Sequence, residues 1–362
     1  MRLVVYIVRR LLILVPTLLG VTLITFALSH ASGPNLAIAV YCNPHLGACN
    51  IDNPLLQPIV DRFHLRDPIP VQYFYYILGL LQGDWGFSTS AIKGGMPVSQ
   101  AAAIFFPQTV ELAIASTVLA TLIGIPTGTI SALRKDKVVD HATRVFALVG
   151  YSIPLFWLGL LLQILFISIL PGWEITGGYS PSSISPSSEP WAFIDLGGTY
   201  QLFSQPTHFL VLDAALHGSG SVVWDALKHL VLPTVTLTFG ILGVILRMVR
   251  SGMVDSMNQD YVRTAWAKGL PEWVVTRTHI RRNALLPAAT VIGLLFAGLL
   301  GGVVLVEDVF AWPGVGYWAT QAVLRFDAGG VMGTTLIFAI FLVLINLGAD
   351  VMYAFLDPRI SL

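Results

Sequence analysis

Few residues in this chain have the type and spacing for chemistry, and they stand apart. Glu111 is a lone carboxyl beside one apolar run and His229 a lone imidazole beside another, while Cys42 and Cys49 are the only two cysteines. No two histidines stand at i and i+4, so the sequence does not suggest zinc held on a helix face. The patterns G-x-x-x-x-G-K-[ST], G-x-S-x-G and H-E-x-x-H are absent, which argues against a P-loop, a nucleophile elbow and a zincin site. A membrane-embedded enzyme would set paired carboxylates, a Ser/His couple or metal ligands inside its spans, and no apolar run holds such a set. An ion-coupled secondary transporter would show repeated broken helices with charges inside the membrane, and these runs are nearly free of charge.

The informative stretch is polar and runs from Asp255 to Pro287 between two long apolar runs. At 100° per residue Met257, Tyr261, Val262, Ala265 and Trp266 share one arc, and Ser256, Gln259, Asp260 and Arg263 share the other. Gly269 supplies a helix stop, and Pro271 with Glu272 starts a second helix. The expected product is a short helix–Gly–helix element along a membrane face. Its apolar face, Tyr261, Ala265 and Trp266 with Lys268 at the edge, would meet a partner's groove or the base of its own bundle.

The rest of the chain must position that element. Apolar residues make up 55% and charged residues 11%, and mean hydropathy is +0.75. A soluble domain would carry about a quarter charged residues, so this is a polytopic membrane protein. Zero net charge offers nothing to nucleic acid. Six runs are long enough, or nearly so, for a hydrocarbon core of roughly 30 Å: Leu11–Ser29, Leu112–Leu133, Val145–Leu170, Leu230–Leu246, Ala284–Val306 and Val331–Ala349. The first exceeds the roughly 7–15 apolar residues of a signal peptide and reads as a retained helix. With the amino terminus inside, all of the 20 Lys and Arg except Arg62, Arg66, Lys93, Lys228 and Arg325 fall on one side. Both termini and the 255–287 stretch are then cytoplasmic.

That orientation places Cys42 and Cys49 outside, where a disulfide is the favoured reading over a metal site. Prolines break 30–106 into short pieces, with a helix expected around 70–81. Pro107 reads as the opening of the second span. Glu111 would then lie in its first turn, marking a transport path or favouring the helix dipole. Gly124-x-x-x-Gly128 and Gly298-x-x-x-Gly302 allow close helix packing within or between subunits. Ser152-Ile-Pro154 kinks the third span. Residues 171–228 read as a second external loop, and it includes Thr176–Pro190, whose composition cannot bury a core. His229 reads as a hydrogen-bonded anchor.

Asp260-Tyr-Val-Arg-Thr-Ala-Trp-Ala-Lys-Gly269, followed by Asn283-Ala-Leu-Leu-Pro287, resembles the cytoplasmic loop of ATP-binding-cassette (ABC) import permeases, and more closely that of the dipeptide/oligopeptide/nickel branch. Trp266 stands where that family usually has Arg, and Pro271 where Ser is common. Gly83-Asp-Trp-Gly-Phe-Ser88, Pro107-Gln-Thr-Val-Glu-Leu112, Leu227–Pro233, Gly301–Gly316 and Asp350–Arg359 are also similar to stretches of the family, so the resemblance covers essentially the whole chain.

The resemblance implies an all-α membrane protein of six transmembrane helices with the type I ABC importer permease fold. Its parts would be 1–29, the amino terminus and first helix; 30–106, a small external subdomain; 107–357, the transmembrane core with an ATPase-docking loop at 250–283; and 358–362, a cytoplasmic tail. The loop, with Asp260, Tyr261, Ala265, Trp266, Lys268 and Gly269, would dock into two separate ATPase subunits that carry ATP and magnesium, this chain binding no cofactor itself. The other implied partners are a second, related permease in a heterodimer, an extracytoplasmic binding protein and membrane lipid. Ser152, Pro154 and Glu111 become candidates for the translocation path, and peptides the expected cargo, with nickel or oligosaccharides as alternatives.

Overall fold

The computed structural model describes residues 2–31, 38–42, 49–92, 95–170, 176–180, 193–195, 200–202 and 207–356. Most of Thr176–Pro190, and the tail expected at 358–362, lie outside them. Helix α1, Arg2–Ala31, comes first. Then follow α2, Ile69–Leu81; α3, Val98–Leu133; α4, Val138–Ser152; α5, Leu155–Ile169; α6, Leu210–Leu216; and α7, Gly220–Met257. Next come α8, Asp260–Ala267; α9, Arg282–Gly302; α10, Val304–Phe310; α11, Val315–Leu324; and α12, Ala328–Leu356. Shorter helical pieces lie at Pro54–Leu56 and Gln57–Arg62 before α2, and at Glu272–Val274 and Val275–Arg281 before α9. The described strands are two short antiparallel pairs, Phe87–Ser88 with Met96–Pro97 and Phe193–Asp195 with Tyr200–Leu202.

Among the described residues, four helical stretches are long and apolar enough to cross a membrane: Val98–Leu133, Gly220–Met257, Glu272–Gly301 and Ala328–Ile345. Helices α4 and α5 make a fifth if taken as one span, with a bend of 101° between them. The expected kink in the third span is therefore a break. Ile153 is extended and Pro154 starts α5, because proline disfavours helical geometry in the residue before it.

Two boundaries differ from the sequence reading. Helix α3 begins at Val98 and runs through Pro107. Its first turns are held by burial, since Ala101, Ile104 and Phe105 pack with Val315, Trp318 and Ile337. Helix α7 begins at Gly220, so Gly220–Lys228 belongs to the helix and not to a loop. The run expected to be the shortest span lies inside a helix of 38 residues.

Helices α3 and α7 form the spine of the bundle. A Cβ at Gly124 would stand 2.7 Å from Ile245, and one at Gly128 would stand 2.9 Å from the Leu246 carbonyl oxygen. The first small-residue pair therefore serves packing within the chain. Gly298 differs, with open space where its Cβ would be. The main core joins α3, α7, α9 and α10 through Leu112, Leu237, Ile245, Ala288, Val306 and Phe310. A second cluster gathers the segment between α1 and α3 (Val40, Tyr41, Leu56, Val60, Phe63, Tyr76) against Phe26 of α1 and Met332 of α12.

A buried carboxylate ties that segment to the end of the chain. Asp327 Oδ2 accepts from Ser88 Oγ at 2.6 Å and from Ser90 Oγ and N at 2.6 and 2.9 Å. Its Oδ1 accepts from Gly330 N at 2.9 Å, and Trp318 Nε1 donates to Ser88 Oγ at 3.0 Å. Cys42 and Cys49 are joined by a disulfide within the same segment.

Candidate functional site

The stretch between α7 and α9 folds into three pieces. Helix α8 is followed by Gly269 at φ +74°, then by a turn of α-helix at Glu272–Val274. A π-helical segment, Val275–Arg281, leads into α9. Gly269 N donates to Trp266 O at 2.9 Å and Leu270 N to Ala265 O at 3.4 Å, closing the helix end. Nothing stands within 4 Å of where a Cβ at Gly269 would lie, so the backbone angle alone demands glycine.

Burial divides the face of α8. Val262 and Ala265 are buried in the main core, beside Met253 of α7 and Val275 and Ile280 of the π segment. Tyr261 and Trp266 flank that buried line and remain 40% and 47% exposed. The outermost surface is polar, with Asp260, Arg263, Thr264 and Lys268 all exposed. Of the two orientations left open for the apolar arc, the chain's own bundle takes its centre, and Tyr261 and Trp266 are left at its rims. Ala265 therefore faces inward. Asp260 and Arg263 approach to 3.4 Å at 95% and 75% exposure, a pair worth little in water. An acidic residue in the first turn also suits the helix dipole.

Two features of this element carried no local signal. Trp273 is 67% exposed and extends the aromatic rim beyond Gly269. The π segment is the second. Runs of i→i+5 bonding are rare and recur at functional sites, yet Val275–Arg281 reads as ordinary helix. Its His279 carbonyl accepts from Asn283 Nδ2 at 2.9 Å, which gives Asn283 of the Asn-Ala-Leu-Leu-Pro motif a structural task.

The path candidates do not form one surface. Ser152 and Pro154 are exposed at the α4–α5 break, and Ser152 Oγ donates to Leu148 O at 2.8 Å. Glu111 lies well inside α3 and is buried, so the first-turn dipole reading does not apply to it. Its Oε1 accepts from Val211 N at 3.3 Å, and its Oε2 has no partner among the described residues. His229 is buried, with Nδ1 3.0 Å from Asp225 O.

At the opposite end, Glu307 is fully buried and fixes the α10–α11 turn to α3. Thr109 Oγ1 donates to its Oε1 at 2.7 Å, and Gly316 N and Tyr317 N donate to its Oε2 at 2.7 and 3.0 Å. Val315 N donates back to Thr109 Oγ1 at 2.9 Å, and Trp312 Nε1 to Gln108 O at 3.0 Å. The carboxylate satisfies the first amides of α11. A Cβ at Gly314 would collide with it. Burial pushes the Glu307 carboxyl up to about 7, against the pull of the Thr109, Tyr317 and Gly316 bonds.

Comparison with known proteins agrees with this geometry. Residues 124–362 match the family described as binding-protein-dependent transport system inner membrane component. The chain is 39% identical over 354 residues to the probable D,D-dipeptide transport system permease protein DdpB of Escherichia coli (strain K12), covering 96% of this chain and 95% of the relative. It is 36% identical to the dipeptide transport system permease protein DppB of the same organism, covering 98% of each. It is 34% identical to the oligopeptide transport system permease protein AppB of Bacillus subtilis (strain 168), covering 98% of this chain and 99% of the relative. A bundle of long apolar helices, a polar element strapped across its end and a match over most of its length together make this chain a member of the binding-protein-dependent transport system inner membrane components, the permeases of ABC importers.

Proposed function

We propose that this chain is one half of the transmembrane pair of an ABC importer for di- and oligopeptides. The observation that carries the reading is near end-to-end similarity to permeases named for dipeptide and oligopeptide transport. Its partner is a second, related permease. Two ATPase subunits, which bind ATP and magnesium, supply hydrolysis, and an extracytoplasmic binding protein delivers cargo. Helix α1 is the first of six spans, the segment between α1 and α3 lies outside, and both termini and α8 lie in the cytoplasm. The exposed side of α8 is the ATPase-docking surface: Tyr261 and Trp266 supply rim contacts, Lys268 and Asp260 the polar ones, and Gly269 the turn. Ser152 and Pro154 at the α4–α5 break face the path.

The cycle is alternating access. ATP draws the ATPases together, the docking elements follow, and the two bundles swing to open the cavity outward. Such a switch requires ATP and cargo to bind the two states with different affinity. The test is to purify the complex with its ATPases and binding protein, identify the ligand the binding protein holds by mass spectrometry, and measure its ATP-dependent uptake into proteoliposomes. A di- or oligopeptide is expected. Nickel or an oligosaccharide as the transported ligand would overturn the peptide assignment.

A further inference from the structure

Helices α4 and α7 run antiparallel and are joined at three levels. At one end lies Asp140, with no exposed surface. Its Oδ1 accepts from Arg250 Nε at 2.6 Å and from Ser131 Oγ at 2.6 Å. Its Oδ2 accepts from Arg250 Nη2 at 2.7 Å and from Asp136 N at 3.0 Å. Arg144 Nε stands 3.8 Å away, and Thr143 Oγ1 holds Ser131 Oγ at 2.9 Å. Midway, a Cβ on Gly243 would stand 2.5 Å from the Ala147 carbonyl oxygen, so the two backbones touch. Further on, a Cβ on Gly150 would stand 3.2 Å from Phe239 O. The Phe146 and Phe239 rings lie 5.5 Å apart, and the Arg247 guanidinium sits 6.0 Å from the Tyr151 ring. In the Asp140–Arg250, Ala147–Gly243 and Gly150–Phe239 contacts the residue numbers rise along α4 as they fall along α7, so these three levels form one continuous seam, and the two ring contacts reach across it from longer side chains.

The ends of the seam give it a mechanical meaning. Seven residues beyond Arg250, α7 ends at Met257, and α8 begins at Asp260. Val249 and Met253 share their buried cluster with Val262 and Ala265 of α8. At the far end α4 stops at Ser152, and the chain turns 101° into α5. A two-point guanidinium–carboxylate contact fixes angle as well as distance, which one charge at the end of a lysine cannot do.

We infer that α4, α7 and α8 move as one rigid lever whose joint is the break at Ile153-Pro154, with Asp140 and Arg250 as the positioning residues that clamp α4 to α7. A displacement of α8 then reaches α5 through α4 without sliding at the α4–α7 seam. The inference rests on the importer function proposed above.

Two measurements test it in the reconstituted complex with its ATPases and binding protein. Arg250→Lys keeps the charge and loses the fork. Molecules that assemble should hydrolyse ATP but transport roughly tenfold less cargo per ATP, the size expected when a coupling contact is lost. Phe146→Cys with Phe239→Cys, bridged by a short thiol cross-linker, pins the seam directly. The native cysteines are in a disulfide, so the added thiols react alone. The cross-linked protein should transport within about twofold of wild type, and the same cross-link in Arg250→Lys should restore the ratio of cargo to ATP. Loss of transport on cross-linking the otherwise native chain would show that α4 slides on α7 and would overturn the lever. So would an unchanged ratio in Arg250→Lys with only less assembled complex, the mark of a contact that merely supports folding. A wild-type complex that neither binds its ATPases nor transports would instead refute the importer reading.

Discussion

Glu307 shows how much one buried carboxylate can hold. Glu307→Ala would leave Gly316 N and Tyr317 N unpaired, and each buried amide without a partner costs about 1–3 kcal/mol. The variant should melt at lower temperature and lose protection from proteolysis at the α10–α11 turn. A pH effect follows with a defined sign. The folded carboxyl sits at about 7, raised from 4.5 by burial. Its contribution is therefore fully present below about 4.5 and is lost as pH rises through 7. Wild type should lose melting temperature across that window, and Glu307→Gln should flatten the loss. If Gln follows the wild-type curve, the titrating group is elsewhere. Ala265 makes a different residue-scale prediction. It is buried in the chain's own core, so Ala265→Asp should cost on the order of 3 kcal/mol by leaving an unpaired charge there. The yield of folded permease should fall, and near-normal yield with failed transport would show that the side chain faces outward after all. The residues that carry these contacts differed in legibility. Glu307 stood in a recognisable loop, whereas Asp140 and Arg250 lie 110 positions apart, and nothing within a local window joins them.

Among the elements, α8 was the most legible, because its signals are local. A period of 3.6, a glycine and a proline fix a short helix, its stop and the next start. Its orientation was not legible, since an amphipathic helix does not say what its apolar arc will meet. Helix starts failed where tertiary burial overrode a proline, as at Pro107, and where the helix continued into a less apolar stretch, as before Leu230. The π segment had no signal at all. For this element the sharp variant is Gly269→Val. It meets no steric obstacle and acts only through φ +74°, at a cost of about 1–3 kcal/mol for a branched side chain. Insertion of the helices should be unaffected, while transport is lost and ATP hydrolysis no longer answers to cargo. Wild-type transport by an assembled Gly269→Val complex would remove α8 from the coupling route.

At the scale of the molecule, orientation is the largest proposal and has a simple measurement. After mild reduction, an impermeant thiol reagent applied to intact cells, or to spheroplasts where an outer membrane intervenes, should label Cys49, which is only partly buried. Labelling that appears only after lysis would invert the protein. The Ser88–Asp327 contact adds a matter of timing. Its partners are 239 positions apart, so during synthesis the segment between α1 and α3 is made long before the residue that fastens it. Until the ribosome has delivered Asp327, the hydroxyls of Ser88 and Ser90 lack the acceptor they are buried against, and Met332 has not closed the cluster around Phe26 and Tyr76. The segment between α1 and α3 thus completes its packing only after Asp327 and Met332 are made, although it is among the first parts made. A nascent chain released short of α12 carries that fault on its surface, open to inspection by any protease that removes unfinished membrane proteins.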